Sequence, residues 1–199
     1  MPKEIEFHFD FISPYSYLAS VALPRLAAEH NATIRYFPFN LVELMKIVGN
    51  RPTTLECKNK GQYVMRDVQR WSERYAVKLS PNPNWANVDF AELGRGALVA
   101  IDEGRGTDYI DAIFASHWQR AADLAERSVL LSVLDQAGFD GTRLLARAAS
   151  PEYVSKLDQG TRVAAERGVF GSPTMFVGPD MFFGNDRFDF MAAALRPVA

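Results

Sequence analysis

The sequence predicts an α/β fold in which a β-α-β opening and a β-β-α ending are separated by a large all-helical insertion. Three observations predict it. Residues 4 to 11, Glu-Ile-Glu-Phe-His-Phe-Asp-Phe, alternate polar and apolar side chains, the period of a strand. From residue 41 to about 168 the apolar residues recur almost throughout at helical spacing. Past Gly168 the pattern returns to short apolar runs around a turn.

Ile12-Ser13-Pro14 breaks the first strand, and Tyr15 to Glu29 then places Leu18, Val21, Leu23 and Leu26 at helical spacing. A second strand, Thr33 to Phe39, follows so soon that the two strands are expected to run parallel through a right-handed crossover. Within the insertion, helices are read over Tyr63 to Tyr75, Asp89 to Asp102, Tyr109 to Ala121 and Ser128 to Gln136. Gly138 and Gly168 read as helix stops, and Ser150-Pro151-Glu152 as an N-cap followed by proline at the first helical position. Ser80 to Asn87 is a proline-rich loop. Thr174 to Val177 and Met181 to Phe183 form a hairpin across Gly178-Pro179-Asp180, and Arg187 to Leu195 closes the chain as a helix. A βαβ unit joined to a ββα unit makes a thioredoxin-like sheet. We therefore expect a thioredoxin-like domain over residues 1–40 plus 169–199, carrying residues 41–168 as a helical insertion domain.

Composition narrows the function. The 199 residues are 48% hydrophobic and 23% charged, which excludes disordered and low-complexity classes. A chain of this length buries roughly 70% of the surface its unfolded form exposes, so it folds without disulfide or metal. With 22 basic and 24 acidic residues the net charge is −2, and no basic block points to nucleic acid or an anionic membrane. No apolar run approaches the ~20 residues of a membrane span, and no signal-peptide core follows Met1. The expected address is the cytoplasm. Cys57 is the lone cysteine, and His8, His30 and His117 lack metal-ligand spacing, so no metal is expected.

The chemistry is expected where the first strand turns into the first helix, at Asp10-Phe-Ile-Ser-Pro-Tyr-Ser-Tyr-Leu-Ala. In a thioredoxin-like fold this turn holds a Cys-x-x-Cys whose thiolate the helix N-terminus stabilises. Here Ser13-Pro14-Tyr15-Ser16 takes its place, so the turn itself exchanges no disulfide and a thiol must arrive with a ligand. Glutathione is the obvious cytoplasmic candidate, with the Ser13 hydroxyl donating to its sulfur. Read alone, Ser13 is equally an N-cap before a proline. Ser172-Pro173 stands where such folds place a cis-proline, whose preceding residue offers its backbone to a thiol ligand, although most X-Pro bonds are trans. Gly184-Asn185-Asp186 opens the last helix, suiting a ligand carboxylate and, through Asp186, an ammonium; it also reads as a plain turn and cap. Ser16, one turn further on, is expected to point away from the sulfur. His8 is expected to alternate outward from its strand, and His117 to lie in a helix, neither with a role. Cys57 reads as incidental, unless it is buried against the Ser13 turn.

On the segments Asp10 to Ala19, Gly49-Asn50-Arg51-Pro52, Tyr63 through Trp71, Gly168 to Phe176 and Phe183 to Arg187, the chain resembles the 2-hydroxychromene-2-carboxylate isomerase family. That family is related to kappa-class glutathione transferases and DsbA-like oxidoreductases. The resemblance implies glutathione as cofactor, and interconversion of 2-hydroxychromene-2-carboxylate and trans-o-hydroxybenzylidenepyruvate in aromatic hydrocarbon degradation. By motif it makes Ser13 the catalytic residue that activates the sulfur. Ser13, Ser172, Phe183, Gly184, Asn185 and Asp186 become glutathione contacts; Lys46, Asn50, Arg51 and Asn87 become contacts to an aromatic oxo-acid. Lys46 and Arg51 on their own read equally as solvated surface charges. Thiolate addition turns the double bond into a single bond, rotation follows, and elimination restores the alkene. A homodimer is the expected assembly. The rival readings are a kappa-like transferase or peroxidase acting on another electrophile, and a non-catalytic thioredoxin-like docking module.

Overall fold

A four-stranded mixed sheet of order β2-β1-β3-β4 organises the chain. In this computed structural model, which describes residues 3–80 and 82–196, β1 (Lys3–Phe9) pairs in parallel with β2 (Ala32–Pro38) across the helix α1 (Pro14–Glu29). On its other edge β1 pairs antiparallel with β3 (Thr174–Val177), which pairs antiparallel with β4 (Asp180–Phe183) ahead of α10 (Phe188–Ala194). This is the thioredoxin-like βαβ…ββα order. Between β2 and β3 run α2 (Leu41–Val48), α3 (Thr53–Glu56), α4 (Lys58–Arg74), α5 (Phe90–Asp102), α6 (Gly106–Phe114), α7 (Arg127–Gln136), α8 (Gly141–Ala148) and α9 (Pro151–Glu166). Pro81 of the predicted loop, and residues 1–2 and 197–199 of the predicted thioredoxin-like domain, lie outside the described residues.

Local chemistry sets the element boundaries. β1 stops at Phe9, short of the predicted Phe11, because the Asp10 carboxylate takes the Ile12 and Leu41 amide protons and turns the chain. Asn40 and Asp140 cap α2 and α8 by accepting from Glu43 N–H at 3.1 Å and Arg143 N–H at 2.9 Å. These short helices fall inside the predicted helical stretch, but their individual limits are set by caps. Gly138 and Gly168 do end helices, at φ +78° and +87°. Ser150 stands at the N-cap of α9 but makes no side-chain cap bond. The helix expected from Tyr109 begins at Gly106 and passes at Ala115–Gln119 into a π-turn.

Both faces of the sheet are covered. Ile5, Phe7 and Phe9 are fully buried in a core shared with residues of α1, α5–α8 and α10, with the Phe7 and Phe9 rings stacked at 5.0 Å. Burying each such ring contributes about 1.5–3 kcal/mol. The opposite face packs Phe176 with Phe39, Leu44, Ala164 and Val169, under α2 and α9. His8 lies on this second face at 3% exposure, stacked on Phe37 at 4.7 Å, and so does not point outward as the alternation predicts. In a central strand the alternation records which face a residue joins; burial on both sides is decided by the helices that cover them. Glu6, held by Arg167, accepts from His8 at 3.1 Å, and burial keeps the imidazole pKa low.

Candidate active site

Three serines meet at the end of β1. Ser13 is the N-cap of α1: its Oγ accepts from Ser16 N–H at 3.2 Å and donates to the Ser172 carbonyl oxygen at 3.0 Å. The Ser172–Pro173 bond is cis. Ser16 and Ser172 hydroxyls lie 2.6 Å apart, and Ser172 Oγ also accepts from Asp10 N–H at 3.0 Å. The Ser16 side chain is thus completely buried and turned into the cis-proline loop, a position that helix phase alone leaves undetermined. The Ser13 turn and Ser172, 159 residues apart in sequence, are therefore directly bonded.

The third predicted segment joins them through the backbone. Gly184 N–H donates to the Pro173 carbonyl at 3.0 Å, which seats Gly184-Asn185-Asp186 beside the cis-proline. Asn185 is 2% exposed, and its Nδ2 is buried with no acceptor among the described residues. Its carbonyl accepts from Tyr75 O–H at 3.0 Å. Asp186 pairs with its neighbour Arg187. The half-exposed Phe183 ring lies over Gly171 so closely that a Cβ there would come within 2.7 Å of it, and it packs on Phe170 at 4.6 Å.

The predicted oxo-acid contacts are less tightly gathered. Asn50 Nδ2 donates to Phe170 O at 2.7 Å, which ties Asn50 to the segment two residues before Ser172. Lys46, one turn back on α2, is exposed and paired with Glu43 at 3.1 Å; Arg51 is exposed. Asn87 ends an exposed single 3₁₀ turn, Trp85–Asn87, with no bond to the other three. In that loop the buried asparagine is Asn82, which donates to Ala122 O at 2.7 Å. Cys57 is exposed between α3 and α4, so it does not back the Ser13 turn.

Other residues enter that sequence reasoning passed over. Asp67 on α4 accepts from Tyr15 O–H at 2.9 Å and Tyr63 O–H at 3.4 Å; burial, then Asp67, raises the Tyr15 pKa and keeps it protonated. Trp118, on the π-turn, donates its Nε1–H to Phe11 O at 3.0 Å and steadies the chain two residues before Ser13. His117 beside it is buried with Nδ1 unpartnered among the described residues, and burial pulls its pKa down to about 4. Asp10 is buried with its pKa raised to about 6 by desolvation, against the pull of two amide bonds. Asp10, Tyr15, Tyr63 and Asp67 lie in segments singled out from sequence, but the Tyr15–Asp67 and Trp118–Phe11 contacts arise from packing between elements distant in the chain. Among the described residues no group of three or more His, Cys, Asp or Glu is arranged for a metal, and no helix is long and apolar enough to cross a membrane.

The fold and this site define a thioredoxin-fold protein with serines at both redox positions, and the family of the DSBA-like thioredoxin domain matches residues 4–196. A 2-hydroxychromene-2-carboxylate isomerase of Sphingobium xenophagum is 34% identical over 98% of this chain and 99% of its own. A solved structure of a 2-hydroxychromene-2-carboxylate isomerase superposes with a TM-score of 0.88 at 31% identity, covering 96% of this chain and 94% of that one. Further off, glutathione S-transferase kappa 1 of Caenorhabditis elegans is 28% identical over 98% of this chain and 93% of its own. The chain belongs to the 2-hydroxychromene-2-carboxylate isomerase family of DsbA-like proteins, and is an isomerase.

Proposed function

We propose that the chain is a glutathione-dependent isomerase that interconverts 2-hydroxychromene-2-carboxylate and trans-o-hydroxybenzylidenepyruvate. The observation that carries the reading is the Ser13 hydroxyl, held at the N-cap of a helix and 3.0 Å from the carbonyl beside a cis-proline. The kappa-class relative supports glutathione as the cofactor, and the residues present fit it. Asn185 Nδ2, a buried donor without an acceptor, suits a ligand carboxylate, and the exposed Asp186 suits its ammonium. The Ser172 backbone suits the cysteinyl segment, with Phe183 and Gly184 flanking it.

Bound there, glutathione would supply a thiolate able to add reversibly to the conjugated carbon, which would allow rotation about the former double bond. Ser13 releases the Ser172 carbonyl and donates its proton toward the sulfur, while the first amides of α1 hold negative charge at that point. Lys46 and Arg51 offer positive charge to the oxo-acid carboxylate and to the charge developing on the substrate oxygen; Asn50 and Asn87 orient it by hydrogen bonding. A homodimer, a cytoplasmic address and the division into 1–40 plus 169–199 and 41–168 belong to the same proposal.

The test is the ultraviolet spectrum of the chromene carboxylate mixed with the protein, with and without glutathione. Conversion that requires glutathione supports the proposal; conversion without it removes the thiolate mechanism. No conversion together with saturable glutathione binding by calorimetry favours a kappa-like transferase, and absence of both favours a docking module.

A further inference from the structure

Asp10 joins the parts of the site without being one of its predicted contacts. It is 6% exposed. Its Oδ1 accepts from Ile12 N–H at 2.9 Å, inside the Ser13 turn, and its Oδ2 accepts from Leu41 N–H at 2.8 Å, the first residue of α2. Its own N–H donates to Ser172 Oγ at 3.0 Å. One buried residue thus spans the Ser13 turn, the loop before the cis-proline, and the helix that carries Lys46 and leads to Asn50 and Arg51. No neighbour substitutes for it: the Asn40 side chain is engaged with Glu43 N–H, and the Asn40 N–H donates to Thr161 Oγ1 at 3.0 Å.

The two amide protons arrive from different segments and each meets its own carboxylate oxygen, an arrangement that an ionised carboxylate offers and that a side chain with a single acceptor oxygen does not. We propose that Asp10 is a positioning residue, whose ionised carboxylate holds α2 and its oxo-acid-binding side chains in register with the Ser13 turn. This rests on the substrate contacts assigned above. The surroundings leave the carboxyl to act alone. The Ser13 turn and α2 meet it with backbone amides, the cis-proline loop with Ser172, and no charged side chain among the described residues shifts it. His8, two residues back on β1, is taken up by Glu6 and Arg167. Burial raises the carboxyl pKa to about 6, so protonation withdraws one acceptor below that pH.

The test is Asp10→Asn, which keeps the size and one acceptor. In ¹H–¹⁵N spectra of the wild-type protein, the Ile12 and Leu41 amides are expected to shift together with a midpoint near 6, and in the variant to stay flat. In isomerisation assays above neutral pH the variant is expected to show a KM for the chromene carboxylate raised about tenfold or more, with the pKa of bound glutathione unchanged. The wild-type KM is expected to climb toward the variant's on acidification, while the variant's does not move. Amides that do not titrate together, or an unchanged KM in a folded variant, overturn the inference. If the variant does not fold, the wild-type pH series decides it. A wild-type protein that converts no chromene carboxylate overturns the function proposed above instead, and the amide pair still decides the clamp.

Discussion

Ser13 divides its hydroxyl between two tasks, accepting the Ser16 amide proton as an N-cap and donating to the Ser172 carbonyl. Removing it therefore has separable effects. Ser13→Ala is expected to cost about 0.5–2 kcal/mol of stability, as other lost caps do, and leave the protein folded. Loss of a hydrogen bond to a charged sulfur is worth about 1.5–3 kcal/mol, so turnover should fall roughly ten- to a hundredfold, with the pKa of bound glutathione raised. Steady-state kinetics with thiolate absorbance checks both; unchanged turnover and thiol pKa would leave Ser13 a cap only. Ser16 should behave in the opposite way. Its hydroxyl is buried against Ser172 Oγ at 2.6 Å, so Ser16→Ala leaves a buried hydroxyl short of a partner at about 1–3 kcal/mol. The expected result is a lower melting temperature with the thiol pKa of the wild type.

At the scale of elements, two glycines separate function from stability. A Cβ on Gly171 would meet the Phe183 ring at 2.7 Å, but that ring is half exposed and free to swing away. Gly171→Ala is expected to keep the melting temperature and weaken glutathione binding several-fold by calorimetry; equal affinity would remove Phe183 from the ligand contacts. A Cβ on Gly96, within α5, would fall on the Tyr109 hydroxyl of α6. Tyr109 is fully buried and donates to Leu93 O at 3.1 Å, so it has nowhere to go. Gly96→Ala is expected to destabilise by about 1–3 kcal/mol, read as a shift of the urea midpoint, with glutathione affinity of the folded protein unaffected.

For the whole molecule, buried ionisable groups set the acid response, and two of them oppose each other. Burial raises the Asp10 carboxyl from 3.8 to about 6, so the folded state holds this proton more tightly than the unfolded chain. That contribution favours folding at low pH and is lost as pH rises between about 4 and 6. Burial alone lowers His117 from 6.5 to about 4, so the unfolded chain binds this proton more tightly. Its contribution costs stability in acid and recovers as pH rises over the same interval. Each amounts to about 3 kcal/mol, with opposite sign, so the two largely cancel in the wild type. Lowered His8 adds to the His117 side and raised Asp111 to the Asp10 side, both chiefly through burial. Urea unfolding across this range is expected to show stability rising with pH in Asp10→Asn and falling in His117→Phe. Parallel profiles in the two variants would refute the assignment.

What the sequence determined by itself was local and periodic. Alternation in residues 4 to 11, the Ser-Pro and Gly punctuation, and the return to β structure at Thr174 are short-range steric and capping preferences, so β1, α1, the helix stops and the hairpin were legible. The serines at both redox positions were legible as well, because the lone cysteine, Cys57, lies far from that turn in the sequence and leaves no Cys-x-x-Cys there. Tertiary structure decided the rest. That Ser16 faces Ser172, that His8 and His117 are buried, and that Asp67 receives Tyr15 depend on which helices close over the sheet. So does the meeting of Ile12, Leu41 and Ser172 on Asp10, whose partners lie up to 162 residues away. Periodicity assigns a residue to a face, whereas the partner waiting on that face is chosen only when the whole chain packs, and desolvation at that moment is what gives Asp10 and His117 their altered protons.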